Sequence, residues 1–397
     1  MKRRDLLLLG LGAGSLLAPP GWLRALVHGP VHAPEPGPGA PLPAPGPASL
    51  RALAARAGIK LGVQAGKASL EIPAFVQFIT DNFSLLTPGN ELKWPRLRPT
   101  PDTYSFAEAD WMVDFCQAHG LLVHGHNLCW NSPFGNPKWF DSVLTHENAR
   151  GFLTDYITTV VKRYRGRIES WDVVNEPVVS WSKRPDGLYP GIWLNVIGAD
   201  YIDIAFHAAQ AADPGALRVL NCYGVEQDSP DTERTRELTL ELLKNLLKRG
   251  VPVQAMGVES HLSTANPNGP AAYAIFLEKV RALGLQVLVT ELDVDDSQVA
   301  GDKPARDQVV AQCYYDYLTT VVPAGKVNRV IFWTPSDRWD WLNSMQVPKF
   351  KRSDGQPHRP GLIDDALQQK SSFAAVAAAL ETLSGSRLQA SRWQSRR

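Results

Sequence analysis

The chain has 397 residues, of which 44% are hydrophobic and 20% charged, with a formal net charge of +1. That length holds one large domain or two ordinary ones, and the composition is globular. The balanced charge excludes an overall field that would select nucleic acid or an acidic partner.

Residues 1–28 read as an export signal. Lys2, Arg3 and Arg4 give a basic start, and the apolar run from Leu6 to Leu17 is too short to span a membrane comfortably. Adjacent arginines ahead of a leucine run are similar to a twin-arginine signal. An ordinary secretory signal or an uncleaved anchor is the alternative. Residues 29–47 are dense in Pro, Gly and Ala, a composition that packs no core, and read as a linker.

From residue 48 to 383 short apolar runs alternate with amphipathic helices. Strands are expected at Ile59–Val63, Phe83–Leu86, Leu121–His124, Ile168–Val174, Leu217–Leu220, Gln254–Val258, Val287–Thr290 and Val327–Trp333. Helices are expected at Pro73–Thr80, Ala107–His119, His146–Tyr164, Gly198–Ala212, Thr232–Arg249, Pro270–Leu283, Ala305–Val321 and Ser371–Leu383. Strand and helix in alternation imply a parallel sheet with right-handed crossovers. Eight repeats over this length fit an α/β fold of the closed (β/α)8 TIM-barrel type, with a single catalytic domain. An open doubly wound sheet is the alternative, weakened because no Gly-rich phosphate loop follows the first strand. Residues 384–397, with Arg387, Arg392, Arg396 and Arg397, read as a basic disordered tail.

Cys116, Cys129, Cys222 and Cys313 are widely spaced and form no CxxC or zinc pattern. They read mostly as buried thiols; spacing alone does not decide a disulfide. Twelve tryptophans are many for this length, and sugar stacking competes with core packing to explain them.

Function in such a barrel sits at the C-terminal strand ends. Those ends carry Asn90 and Lys93, His126 and Trp130, Asn175 and Glu176, Asn221 and Tyr223, Glu259 and His261, Glu291 and Asp293, then Trp333, Asp337 and Trp341. Glu176 closes the run Ser170–Pro177, where an apolar strand stops at a proline; burial among tryptophans would raise its pKa toward that of a general acid. Glu291 follows the apolar run Gln286–Thr290. Two carboxyl groups across a Trp-lined cleft suit glycoside hydrolysis, one protonating the leaving oxygen and the other attacking the anomeric carbon. His261 and Asp293 can chain hydrogen bonds to Glu291, and Asn175 can meet a sugar 2-hydroxyl. A metal site is the competing use of His126, His261, Glu291 and Asp293; Lys93, the Trp lining and the lack of an HExxH-type spacing speak against it.

These residues resemble glycoside hydrolase family 10, the retaining xylanases, from about Ala48 to Leu383. The resemblance rests on Trp171-Asp172-Val173-Val174-Asn175-Glu176-Pro177 and Thr290-Glu291-Leu292-Asp293. Gly125-His126-Asn127-Leu128-Cys129-Trp130, Ser260-His261-Leu262 and Trp333 with Asp337 and Trp341 support it. It implies a (β/α)8 barrel, Glu176 as acid/base, Glu291 as nucleophile, and endo-cleavage of β-1,4-xylan. It also implies that His261, Asp293, Asn175 and Asp172 support the pair. Asn90, Lys93, His126, Trp130, Tyr223, Glu259, Trp333 and Trp341 are expected to line the substrate site. The pattern departs at Gly89, where the family has a Glu that helps hold the sugar two places toward the non-reducing side. It departs also at Pro133 for Gln, at Cys222 and Gly224 for Asp and Asn, at Glu259 for Gln and at Asp340 for Ser. No cofactor or metal is expected. The partner is a polysaccharide or oligosaccharide substrate, with no nucleic acid, no stable membrane span in the mature protein, and a monomeric state. A sugar-binding protein without efficient turnover, a barrel acting on another β-linked glycan, and a metal-dependent hydrolase are the alternatives.

Overall fold

Strands buried on both faces need near-continuous apolar runs, and the Val/Leu/Ile segments of this chain supply them. The computed structural model describes residues 48–264, 270–344 and 351–394; the export-signal and linker expectations lie outside those residues. The strands are β1 (Lys60–Ala65), β2 (Leu85–Pro88), β3 (Leu122–Gly125), β4 (Ser170–Asn175), β5 (Leu217–Cys222), β6 (Ala255–Val258), β7 (His261–Ser263), β8 (Gln286–Asp295) and β9 (Arg329–Phe332). They pair in parallel in the order β6-β5-β4-β3-β2-β1-β9-β8-β7, and β6 also pairs with β8. That last pairing closes eight strands into a (β/α)8 barrel and rules out the open sheet. β7 is a short addition that pairs with the outer half of β8. Helices Pro73–Asn82, Ala107–Ala118, Ala149–Arg163, Tyr201–Ala212, Pro230–Lys248, Pro270–Ala282 and Lys303–Gly325 connect successive barrel strands, and Ser371–Gln394 follows β9.

Several boundaries differ from expectation for local reasons. The helix expected from Thr232 starts at Pro230, because Ser229 Oγ accepts the Thr232 N–H at 3.1 Å and Pro suits the first turn. The helix expected from Ala305 starts at Lys303, with Asp302 accepting the Ala305 N–H at 3.0 Å. β8 runs five residues beyond Thr290, so Glu291 and Asp293 lie within the strand rather than after it. The added length is paired by β7, in register His261 to Asp293. The last helix continues through Ser384 to Gln394, correcting the disordered tail over that stretch. Ser384 is buried, its hydroxyl donates to Leu380 O at 2.8 Å, and the helix packs on Leu50–Ala57 and Lys303–Gly325. Extending a nucleated helix is cheap.

At the N-terminal rim Glu169 pairs with Lys60 of β1 and with Arg329 of β9, the latter at 2.9 Å. Burial works against its charge, but the two cations outweigh it and hold its pKa below the usual range. This cluster ties β1, β9 and the start of β4 together; chemistry in such a barrel sits at the opposite rim. Among the described residues no helix is long and apolar enough to cross a membrane.

Candidate active site

The site is built from strand ends whose backbones are bent to aim side chains inward. β8 slips register against β9 between Val289 and Leu292, the stretch that carries Glu291. Such an irregularity re-aims side chains beside functional sites. Glu176, just past β4, has φ 48°, and Ser260 has φ 67°. Non-glycine residues pay on the order of 1–3 kcal/mol for such backbone. The Glu176 N–H is held by Asn221 O at 2.8 Å.

Asn221, at the end of β5, is the hub. Its Nδ2 lies 2.8 Å from Asn175 Oδ1, 2.8 Å from Glu291 Oε1 and 3.2 Å from Glu259 Oε1. Its Oδ1 accepts from Thr290 Oγ1 at 2.6 Å. β6 makes room for this amide at Gly257, where a Cβ would sit 2.2 Å from Asn221 Oδ1. Gly257→Ala therefore has to displace a side chain bonded on both ends. It should destabilise the fold by about 1–3 kcal/mol and lower kcat with it, measured by denaturant unfolding and initial rates.

Two carboxyl groups flank this hub in different surroundings. Burial, then the charge of Glu291, pushes the Glu176 carboxyl up to about 7. Lys93 and His261 pull the other way, and the Trp130 indole N–H faces the carboxyl without closing a hydrogen bond. Asn175 Nδ2 donates to Glu176 Oε1 at 3.3 Å. Glu291 is ringed by donors: Asn221 Nδ2, and His261 Nε2 at 3.4 Å from Oε2. His261 Nδ1 lies 2.8 Å from Asp293 Oδ1, and Trp341 Nε1 donates to Asp293 Oδ2 at 2.6 Å. Burial would lower the His261 pKa, but Asp293 and Glu291 outweigh it and lift it well above the ordinary value.

A second layer sits beneath. Asp172 Oδ2 lies 2.9 Å from both His124 Nε2 and His126 Nδ1. Burial opposes the Asp172 charge, yet the two imidazoles bring its pKa down to about 2. On distance alone, His126, Asp172 and Glu291, or Glu259, His261 and Glu291, could surround a cation. His126 Nδ1 is engaged by Asp172 and Glu291 Oε1 by Asn221, and the raised pKa of His261 favours an imidazolium, which ligates no cation.

The cleft walls are aromatic. Lys93 Nζ stands 5.8 Å from the Trp130 ring and 5.9 Å from Trp333, and donates to Asn90 Oδ1 at 3.3 Å. Burial lowers the Lys93 pKa against the pull of Glu291, Glu176, Glu91 and Glu259. Trp333 sits edge-on to His126 at 5.1 Å, and Trp341 lies 5.2 Å from His261. On the Glu176 side, Tyr223 pairs with the half-exposed Trp181, whose ring meets Tyr189 at 5.3 Å.

With this geometry in place, comparison with known proteins is decisive. The model of glycosyl hydrolase family 10 matches residues 49–379. The chain belongs to that family. Endo-1,4-beta-xylanase B of Thermotoga neapolitana is 31% identical over 301 residues, which cover 74% of this chain and 82% of that protein. The crystal structure of xylanase 10B from Thermotoga petrophila RKU-1 in complex with xylobiose superposes with a TM-score of 0.75 at 27% identity. It covers 85% of this chain and 98% of that one. The exoglucanase XynX of Acetivibrio thermocellus is 30% identical over 316 residues, 76% of this chain and 27% of that protein.

Within this family-10 barrel, Asp337 does not reach the cleft. Its Oδ1 takes the Gly361 N–H at 2.8 Å and Lys370 Nζ at 3.0 Å, anchoring the segment after β9. Asp340 is buried beneath Trp341, accepting from Thr334 Oγ1 at 2.7 Å and Leu342 N at 2.8 Å. Burial and the Asp293 charge push its carboxyl up to about 7. Pro133 is exposed on the loop whose Gly135 lies against Trp130. Gly89 is covered by a residue that sequence reasoning passed over. A Cβ there would lie 1.9 Å from Gln64 Nε2, so an amide from β1 fills the space a side chain at 89 would take. Glu91 ties the same corner by accepting the Lys67 N–H at 2.8 Å and the Asn90 N–H at 3.0 Å. Gln64, His124 and Trp181 are positions at the site that the sequence pattern does not single out; Asn221 is named there only as a strand-end residue, without its place as hub. A polar residue ending an apolar strand was the available signal for Asn221.

Proposed function

We propose that this barrel is a retaining endo-β-1,4-xylanase in which Glu176 is the acid/base and Glu291 the nucleophile. The observation that carries the reading is the contrast between the two carboxyl environments. Glu176 is pushed toward keeping its proton at neutral pH, while Glu291 meets hydrogen-bond donors suited to a carboxylate. A Glu291 oxygen attacks the anomeric carbon as Glu176 gives its proton to the departing glycosidic oxygen. Water then enters, Glu176 takes its proton, and the glycosyl–Glu291 ester breaks. Asn221 and His261 hold Glu291 in line through both steps. Asn175, Lys93, His126, Trp130, Trp333 and Trp341 form the floor and walls on which sugar rings lie. Xylan is supported by the xylanase relatives, and export by the paired arginines and leucine run within residues 1–28, of twin-arginine type.

Proton NMR of freshly cleaved xylo-oligosaccharide tests the mechanism. The β-anomer is expected first; the α-anomer appearing first would mean inversion and sink the assignment. Product profiles on xylan, arabinoxylan, mixed-linkage glucan and cellulose test the substrate. Faster turnover of cellulose or mixed-linkage glucan would replace xylan by another β-glycan.

Gln64 bears on that choice. It stands against Gly89 at the C-terminal ends of β1 and β2 and offers a neutral amide. Removing one such hydrogen bond costs about 1 kcal/mol, so Gln64→Ala should raise KM for xylo-oligosaccharides about 5-fold with kcat nearly constant. An unchanged KM in steady-state assays would reduce Gln64 to packing.

A further inference from the structure

The site holds a third carboxyl group that the double-displacement scheme does not use. Glu259 lies at the end of β6 and is only 2% exposed. One ligand atom from each of Glu259, His261 and Glu291 lies within 4.8 Å of the other two. Two anions that close in a buried site cannot both be well served unless each finds its own donors.

The donors do not suffice. Asn221 Nδ2 carries two hydrogens and faces three acceptors, at 2.8 Å (Asn175 Oδ1), 2.8 Å (Glu291 Oε1) and 3.2 Å (Glu259 Oε1). The two short contacts take both hydrogens. His261 Nε2 is likewise nearer Glu291, at 3.4 Å, than Glu259, at 3.7 Å. Glu259 is left with the long contact to each shared donor. Resting on the catalytic roles proposed above, we infer that Glu259 is a positioning residue that works as a neutral acid. It keeps its own proton beside the Glu291 carboxylate and so leaves Asn221 and His261 to the nucleophile.

The groups facing Glu259 set the balance. Glu291 on β8, Glu176 after β4 and Glu226 after β5 repel a charge on it, and burial disfavours that charge most of all. His261 on β7 favours it. Lys93 acts on it from the β2 end, and the Cys222 thiol and Tyr223 phenol, both kept neutral by burial, interact with it from the end of β5. The net effect raises the Glu259 pKa well above the ordinary value. When Glu259 does ionise, it competes for the same Asn221 and His261 hydrogens, and Glu291 loses its alignment.

A dinitrophenyl β-xylobioside isolates this effect. Its leaving group departs without a proton, so kcat/KM reports attack by Glu291 and not the protonation of Glu176. The parent profile should fall on the alkaline side, and Glu259→Gln should move that fall upward by about one pH unit or more. Coincident profiles for parent and variant would overturn the proposal. Should the variant not fold, infrared spectra of the parent with carbon-13-labelled glutamate decide. A protonated carboxyl band that disappears as activity on this substrate falls supports Glu259. A parent with no such band above the Glu176 ionisation at about 7 overturns it. The proposal fails alone if the profiles coincide while Glu291→Ala is inactive. If Glu291→Ala retains full turnover, the underlying assignment of the nucleophile has failed instead.

Discussion

Replacing Glu176 by alanine should lower kcat/KM on xylan by about 10²–10⁴-fold. The loss should be much smaller in the first step on a dinitrophenyl β-xyloside, because that leaving group needs no proton. The glycosyl–enzyme then waits for a base that is gone, and it accumulates. Added azide, which needs no base, should release it as the β-glycosyl azide, since two inversions restore the starting configuration. Equal losses on both substrates with no azide effect would show that Glu176 is not the acid/base. The parent should show its own signature: with the carboxyl at about 7, kcat/KM on xylan falls as pH rises through that region.

The same displacement has a consequence for stability. A carboxyl whose folded pKa lies above its unfolded one is penalised in the folded state once it must ionise. Its full contribution is present below the unfolded value and is lost as pH rises to about 7. Glu176→Gln should therefore be more stable than the parent on the alkaline side, on the order of 1–3 kcal/mol, and nearly equal to it in acid. Urea unfolding at both ends of that window checks the sign. A variant less stable at alkaline pH would contradict the burial argument. The function of Glu176 thus works against the fold that holds it.

Glu291→Ala should be more damaging, with turnover of xylan and aryl glycosides falling about 10⁴-fold or more, because the attacking oxygen is gone. The space left beside Asn221 and His261 admits a small anion. Azide should then attack the anomeric carbon directly and give the α-glycosyl azide, a single inversion. The opposite anomers expected from the two variants distinguish the two carboxyl roles in one product assay. Retention of turnover by Glu291→Ala would remove it as nucleophile.

The residues that announce themselves in the sequence are those that end a local pattern. Glu176 closes Trp171–Val174, and Glu291 follows Val287–Val289, so each reads as chemistry at a strand end. The barrel was legible for the same reason, as a rhythm of short apolar runs and amphipathic helices. What was hidden depends on partners far along the chain. Asn221 matters because Asn175, Glu259, Thr290 and Glu291 converge on it, and no spacing within β5 encodes that. The outer half of β8 mixes polar and apolar residues and becomes a strand by pairing with β7. Gly89 reads as a missing side chain until Gln64, 25 positions earlier, is found in its place. Asp337 shows the reverse: its position near Trp333 and Trp341 suggested the cleft, and Lys370 and Gly361 draw it into the packing behind.

The four cysteines carry a consequence for how the enzyme can be made. All are unpaired; Cys116, Cys129 and Cys222 are buried and Cys313 partly so. Burial raises every one of these thiols above its ordinary pKa, which suppresses the reactive thiolate. No covalent cross-link has to form before the barrel closes, so folding needs no oxidising compartment. The chain can reach its folded shape in a reducing compartment. Dithiothreitol should leave both its melting temperature and its activity where they were.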